Sequence, residues 1–343
     1  LLFLVLALAC LWGEAPAKER IETLKKYGDL LLIGFMAGAL CSSEQRLRAL
    51  RGFAAGMTLL LLLSLSIWIG LLPERFSGEA GLGAVVIKLS ITHSWLMACF
   101  AFCCALSAVR ARPSWRYVLV FLACLATLNV LFMVGGRTGY VILAMLAVYG
   151  FYVWKGGCGL ALALVAILAA GAVGMALSPH FSMRVGEVVS DVRQWKAGEG
   201  ARTSQGLRLD WYRVSLELIA ERPLTGYGTG GFASATKQRL AGSNIVTVAN
   251  PHNEYLLLAV QLGLMGPLLL GALFVVAWKA AAKLSPRHQH LLRALVVAMA
   301  GGCLFNSFLY DFTEGLFFAW AAGVLCSGLS GNVDKKTRPL QAA

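Results

Sequence analysis

His252 is the first residue in this sequence whose position suggests chemistry. It lies in Asn250-Pro251-His252-Asn253-Glu254-Tyr255-Leu256, which closes a long polar segment and opens, with no linker, an apolar run over 255–277. At about 1.5 Å per residue that run is long enough to cross a bilayer, so the imidazole stands where water meets membrane. Asn250 is a good N-cap, Pro251 suits the first helical position, and His252 then falls in the first turn. The positive end of a helix dipole disfavours imidazolium, which keeps His252 neutral and able to accept a proton. The plain alternative is an interfacial histidine that only tolerates its place.

Three arginines could meet an anion. Arg137 stands in the tight turn Gly135-Gly136-Arg137-Thr138-Gly139, with no acid on its own loop. A guanidinium stays charged and forms a planar fork, and the flanking glycines let backbone come close to a bulky anion. A snorkelling arginine at a helix end is the other reading. Arg208 and Arg213 are separated by about 140° on a helix, so they cannot both face one ligand. Arg213 lies four residues before Glu217, a spacing that pairs opposite charges on a solvated face. Arg208 shares its side with Tyr212 and Ser215 and is the better anion ligand. Tyr212, Asn253 and Asp311 are the supporting candidates; Asp311 and its neighbour Glu314 either orient His252, bind an acceptor, or are plain helix-end acids.

Other patterns carry less. Gly226-Tyr227-Gly228-Thr229-Gly230-Gly231 matches the dinucleotide fingerprint formally, but a helix and a proline precede it where a strand should be, so a flexible turn or an anion nest is expected. His252-Asn253-Glu254 is no zinc motif, because no second histidine follows at the fourth position. The nine cysteines all fall in or at the ends of apolar runs and read as small hydrophobes, with no disulfide framework and no metal site expected.

The elements that must position these residues follow from composition. Of 343 residues, 58% are hydrophobic and only 14% charged, which excludes an ordinary soluble domain. The formal charge of +13 comes without a basic stripe interleaved with aromatics, so membrane topology explains it better than nucleic acid. Apolar runs at 1–11, 23–41, 49–72, 84–109, 115–134, 138–154, 159–177, 255–277, 291–309 and 315–329 predict an all-α, polytopic helical membrane protein with about ten helices. The first of them reads as a transmembrane helix cut by the start of the sequence. Arginines and lysines gather at every second short loop, around Arg46, Arg110, Lys155 and Lys279 to Arg293, and in the tail at Lys335, Lys336 and Arg338. By the positive-inside rule those ends are cytoplasmic. The Glu74 loop, the Arg137 turn, the large loop between Leu177 and Tyr255 and the Asp311 loop then share the opposite face.

Three parts are expected: N-terminal transmembrane helices over 1–177, an outer loop over 178–253, and C-terminal helices with a cytoplasmic tail over 254–343. Within the loop, 207–222 should form a helix lying on the membrane, with Leu209, Tyr212, Leu216 and Ile219 as its apolar stripe and Trp211, Val214 and Leu218 beside it.

Pro251-His252-Asn253-Glu254-Tyr255-Leu256 followed by Gln261-Leu262-Gly263-Leu264-Met265-Gly266 resembles the signature of the O-antigen ligase and polymerase superfamily. So do Gly136-Arg137-Thr138-Gly139, and Arg208 with Trp211 leading into Pro223-Leu224-Thr225-Gly226-Tyr227-Gly228. The resemblance implies an inner-membrane glycosyltransferase of about twelve helices, of which two at the start are missing here, and makes the 178–253 loop periplasmic. It implies a ligase that moves a polysaccharide from undecaprenyl diphosphate to a lipid A-core sugar without nucleotide or metal. The family's essential histidine and two arginines match His252, Arg137 and Arg208: the histidine as general base, the arginines on the diphosphate, and inversion at the anomeric carbon as the outcome. An O-antigen polymerase or a protein O-oligosaccharyltransferase would share the donor and differ in acceptor. A transporter of an anionic solute is the reading from another class, and it should carry polar or broken helices at mid-membrane. Lys88 and His93 are the main candidates for that, and the polar residues instead collect on one face.

Overall fold

The computed structural model describes residues 1–40, 42–73, 76–79, 81–196, 203–243 and 245–337. Cys41, one of the nine cysteines, and Glu74 and Arg338, named above, lie outside them. The chain runs α1 (Leu2–Ala9), α2 (Ala17–Tyr27), α3 (Leu31–Ala39), α4 (Ser43–Trp68), α5 (Ser90–Ala108), α6 (Pro113–Leu128), α7 (Arg137–Lys155) and α8 (Gly157–Leu177). After these come α9 (Pro179–Gln194), α10 (Ser204–Glu221), α11 (Gly231–Arg239), α12 (Glu254–Leu262), α13 (Met265–Ala281), α14 (Pro286–Gly302) and α15 (Phe312–Thr337). A single antiparallel bridge, Gly83 to Val134, is the nearest approach to a sheet among the described residues.

Among the described residues, six helices are long and apolar enough to cross a membrane: α4, α5, α6 with its continuation to Met133, α7, α8, and Phe312–Leu329 of α15. The protein is a multi-pass, all-α membrane protein. Local signals set the helix starts. Ser42 and Gln45 cap α4 reciprocally, each side chain meeting the other's backbone N–H at 3.1 Å. Pro113 opens α6 at a position where its missing N–H is not needed.

The remaining expected crossings differ from continuous spans. Residues 23–41 divide into amphipathic α2, a tight turn at Gly28–Leu30, and α3. The run 291–309 lies on α14 only as far as Gly302 and then turns, while α1 has eight residues. Most consequential, the run 255–277 breaks at Gly263 into α12 and α13. Gly263 has φ +63°, and a Cβ there would sit 2.4 Å from the carbonyl oxygen of Pro223. A glycine breaks a helix without interrupting an apolar run, which is why hydropathy alone reads 255–277 as one helix.

Two units divide the chain. The first comprises Leu1–Ala39, Glu187–Ala280 and Gly302–Gly323; the second Leu40–Gly186, Ala281–Gly301 and Val324–Ala343. In the second, α5 is the most buried crossing, and its Trp95 indole donates to the Ala298 carbonyl of α14 at 3.0 Å. His93 is held in this core: Nδ1 accepts from the Val86 N–H at 3.1 Å and Nε2 lies 3.1 Å from the Asn129 amide oxygen, whose Nδ2 donates to Ser64 Oγ. That network gives His93 a structural place.

In the first unit, two sequence motifs interlock. The Tyr227 and Gly228 N–H groups donate to the Val260 and Gln261 carbonyls at 2.9 Å each, and Leu264 N–H donates to Pro223 at 2.8 Å. Gly226, at φ +61°, leaves no room for a side chain against Gln261. Gly230 N–H reaches the Gln261 amide oxygen at 2.7 Å. The glycine-rich stretch is therefore a fixed turn against the α12 to α13 break. Its N–H groups at 227, 228 and 230 are occupied, which removes both the flexible-turn and the anion-nest readings.

Candidate active site

His252 sits one residue outside its helix. The N-cap of α12 is Asn253, whose Oδ1 accepts from Leu256 N–H at 3.1 Å, so the expected cap at Asn250 and first-turn place for His252 are corrected. The Asn-Pro-His-Asn sequence offers two capping asparagines, and the later one takes the role. His252 itself adopts φ +54°, an uncommon conformation for a residue with a side chain. Its backbone is gripped on both sides: its N–H donates to Asn250 Oδ1 at 2.9 Å, and its carbonyl accepts from the Tyr212 hydroxyl at 3.1 Å.

The side chain is gripped as well. Nδ1 lies 2.8 Å from Asn306 Oδ1, and Asn306 Nδ2 lies 2.9 Å from Asp311 Oδ2. A carboxylate only accepts, so it fixes the amide with its nitrogen toward Asp311 and its oxygen toward the ring. On that network Nδ1 carries the proton and Nε2 the lone pair, an assignment drawn from the partners. Trp211 covers the ring with centroids 5.4 Å apart. Burial pushes the His252 pKa below its ordinary value, and the nearby Arg208 charge adds to that, against the opposing effect of the hydrogen bond to Asn306 Oδ1. Neutrality thus comes from burial and a guanidinium more than from the helix dipole.

Helix α10 supplies Arg208, Trp211 and Tyr212 from one face. It begins earlier than expected, at Ser204, with Thr203 Oγ1 accepting from Gly206 N–H at 3.0 Å. Its buried residues include Trp211, Val214, Ser215 and Leu218, while Leu216 is exposed. The apolar stripe expected along Leu209, Tyr212, Leu216 and Ile219 is therefore rotated toward Trp211, because the helix packs on protein along the His252 segment. Trp211 Nε1 donates to the Val246 carbonyl at 2.8 Å, Tyr212 to Leu304 at 3.3 Å, and Arg208 to Phe305 at 3.3 Å. Glu217 pairs with Arg239 at 3.3 Å, and no Arg213–Glu217 pair occurs among the described residues.

The 302–311 turn is the third side of the site. Asn253 Nδ2 donates to Leu304 at 3.0 Å, and the Glu254 N–H to Cys303 at 2.9 Å. The fully buried Glu254 carboxylate accepts from the Tyr27 hydroxyl and from the N–H groups of Leu309 and Tyr310 at 3.0 and 3.2 Å. It anchors the turn that presents Asn306 and Asp311. Of the sequence candidates, His252, Arg208, Tyr212, Asn253 and Asp311 come together in this unit. Sequence reasoning passed over Asn306, whose only signal was an Asn-Ser pair interrupting an apolar run, and gave Glu254 no role.

Arg137 belongs to the second unit, at the first position of α7 after Gly136. A Cβ on Gly136 or Gly139 would lie 2.2 or 2.3 Å from Ser94. Those glycines let α5 and α7 pack closely, which corrects the reading of them as space for an anion. Arg184 of α9 donates to the Gly135 carbonyl at 3.3 Å and braces the same turn. Among the described residues no group of His, Cys, Asp and Glu side chains could hold a metal ion.

Residues 122–271 match the O-antigen ligase family. That stretch, a little under half of the chain, is similar to the family. The matched stretch contains Arg137, Arg208, Tyr212, His252, Asn253 and Glu254, whereas Asn306 and Asp311 reach the site from beyond its end. An uncharacterized protein of Haemophilus influenzae is 23% identical over 197 residues, which is 55% of this chain and 49% of that protein. The chain thus spans about half the length of this curated relative.

Proposed function

We propose that the chain is an inner-membrane glycosyltransferase that moves a polysaccharide from undecaprenyl diphosphate to a lipid A-core sugar on the periplasmic face. Support comes from one arrangement above all: a neutral imidazole whose Nδ1 is committed to Asn306, with Arg208 close enough to act on its charge. In this reading the acceptor hydroxyl gives its proton to His252 Nε2 as its oxygen attacks the anomeric carbon from the face opposite the diphosphate. The bond from that carbon to the diphosphate oxygen breaks, undecaprenyl diphosphate leaves, and the configuration inverts. Arg208 meets the charge that develops on the departing oxygens. Arg137 is proposed as a further anion contact on its motif alone. The donor is already activated, so base and fixed positive charge are the groups the step requires.

Purified protein with undecaprenyl-diphosphate glycan and either lipid A-core or a second lipid-linked glycan tests the reading. Glycan on the core is expected. A lengthened lipid-linked chain would instead make the enzyme a polymerase, and transfer to protein an O-oligosaccharyltransferase. The helix breaks at Gly263 and at Gly28–Leu30 would also suit a transporter of an anionic solute. Solute uptake by proteoliposomes without glycan transfer would decide for that.

A further inference from the structure

The second unit contains a cavity of about 830 Å³ that the transfer chemistry does not use. It lies within the ordinary range of ligand pockets, roughly 300–1,000 Å³. Its walls come from α5, α6 and α7, and are almost wholly apolar, with small residues such as Ala101 and Gly150 leaving the space. At one end it is lined by Arg110, Arg287 and His290, and among the described residues no carboxylate lines it.

That end is organised. Arg287 donates to Ser107 Oγ at 2.9 Å, which ties the start of α14 to α5. His290 Nδ1 lies 2.9 Å from the Tyr149 hydroxyl, tying it to α7. Lining residues Leu128, Val153 and Trp154 are exposed, in helices long and apolar enough to cross the membrane. An apolar cavity opening among crossing helices and ending in two guanidiniums suits an amphiphile with acyl chains and an anionic headgroup. A free anion would gain nothing from the apolar walls, and a neutral lipid nothing from the arginines.

We propose that this cavity is a binding site for an anionic glycerophospholipid, its phosphate held by Arg110 and Arg287 and its acyl chains lying between α5, α6 and α7. None of the residues assigned to glycan transfer lines it. The basic groups lie where α5 and α7 end, whereas Arg137 begins α7.

Native mass spectrometry of the delipidated full chain tests this, with equimolar phosphatidylglycerol and phosphatidylcholine of identical acyl chains. Retained phosphatidylglycerol should exceed phosphatidylcholine about tenfold or more, since each basic residue near an anionic headgroup contributes. The double variant Arg110→Gln/Arg287→Gln should bring the ratio toward one, and Arg110→Lys/Arg287→Lys should keep most of the preference. Ala101→Phe, which fills the cavity, should lower retention of both lipids, with circular dichroism checking the helices. Equal retention by the unaltered protein, an unchanged ratio in the glutamine variant, or displacement of phosphatidylglycerol by excess soluble glycerol phosphate would each overturn the proposal.

Discussion

The Asn306 amide stands between His252 and Asp311, 2.8 Å from one and 2.9 Å from the other, so the carboxylate reaches the imidazole only through a neutral group. A direct carboxylate would raise the imidazole pKa; the intervening amide fixes the ring with less of that effect. Asn306→Ala should therefore lower the transfer rate roughly 10- to 100-fold through loss of orientation, with little change in donor affinity. Asn306→Asp should move the acid limb of the rate profile to higher pH. If the alanine variant keeps both its rate and its profile, Asn306 does not position the base.

The unaltered enzyme has its own expected pH dependence. Only neutral His252 can take a proton, and burial with the Arg208 charge holds its pKa below the ordinary 6.5. Transfer should be high at neutral pH, and its acid limb should be centred below pH 6.5. The same shift acts on stability: the unfolded chain binds this proton first, so His252's contribution is present above about pH 6.5 and is lost as pH falls below it. An acid limb centred above 6.5 would remove His252 as the titrating base.

Glu254 gives a prediction about architecture. Tyr27→Phe leaves one buried oxygen of that carboxylate without its hydroxyl partner and should cost about 1–3 kcal/mol. Thermal unfolding in detergent would register it. A variant as stable as the original would mean that the Tyr27 contact is dispensable.

The sequence made the all-helical membrane class legible, along with the side of α10 that carries Arg208 and Tyr212, because hydropathy and the helical repeat are local properties. What escaped it was decided by partners distant in sequence. Asn250 and Asn253 are equally good caps in isolation, and the choice rests on how Asn253 also reaches Leu304. Asn306 carries no charge and lies inside the apolar run 291–309, where the Asn-Ser pair is its only local mark. The burial of Trp211 and Ser215 in place of Leu216 reflects protein packing where a membrane surface was expected.

Gly263 shows the same point in testable form. With φ +63° and ψ −159° it lies in a region that side chains avoid, and Pro223 occupies the space of a Cβ. Gly263→Ala should destabilise the first unit by at least about 1–3 kcal/mol. Gly271, inside α13 with open space around it, is the control: alanine there should be neutral or slightly stabilising. Equal effects at the two positions would argue against the helix break.

Arg208 and Arg213 separate a directed contact from diffuse charge. Arg208 already spends one nitrogen on the Phe305 carbonyl, so holding an anion as well requires a fork with several donors. Arg208→Lys keeps the charge but not the fork, and transfer should fall about 10- to 100-fold, the value of one or more charge-assisted hydrogen bonds. Arg213→Ala should change little, because its side chain lies on the exposed face of α10. Arg137→Lys should also impair transfer if the tight turn braced by Arg184 directs its guanidinium at an anion. Transfer rates of the three variants at matched protein levels discriminate the cases. Comparable losses at Arg208 and Arg213 would mean that overall positive charge, not an aimed guanidinium beside His252, draws the donor.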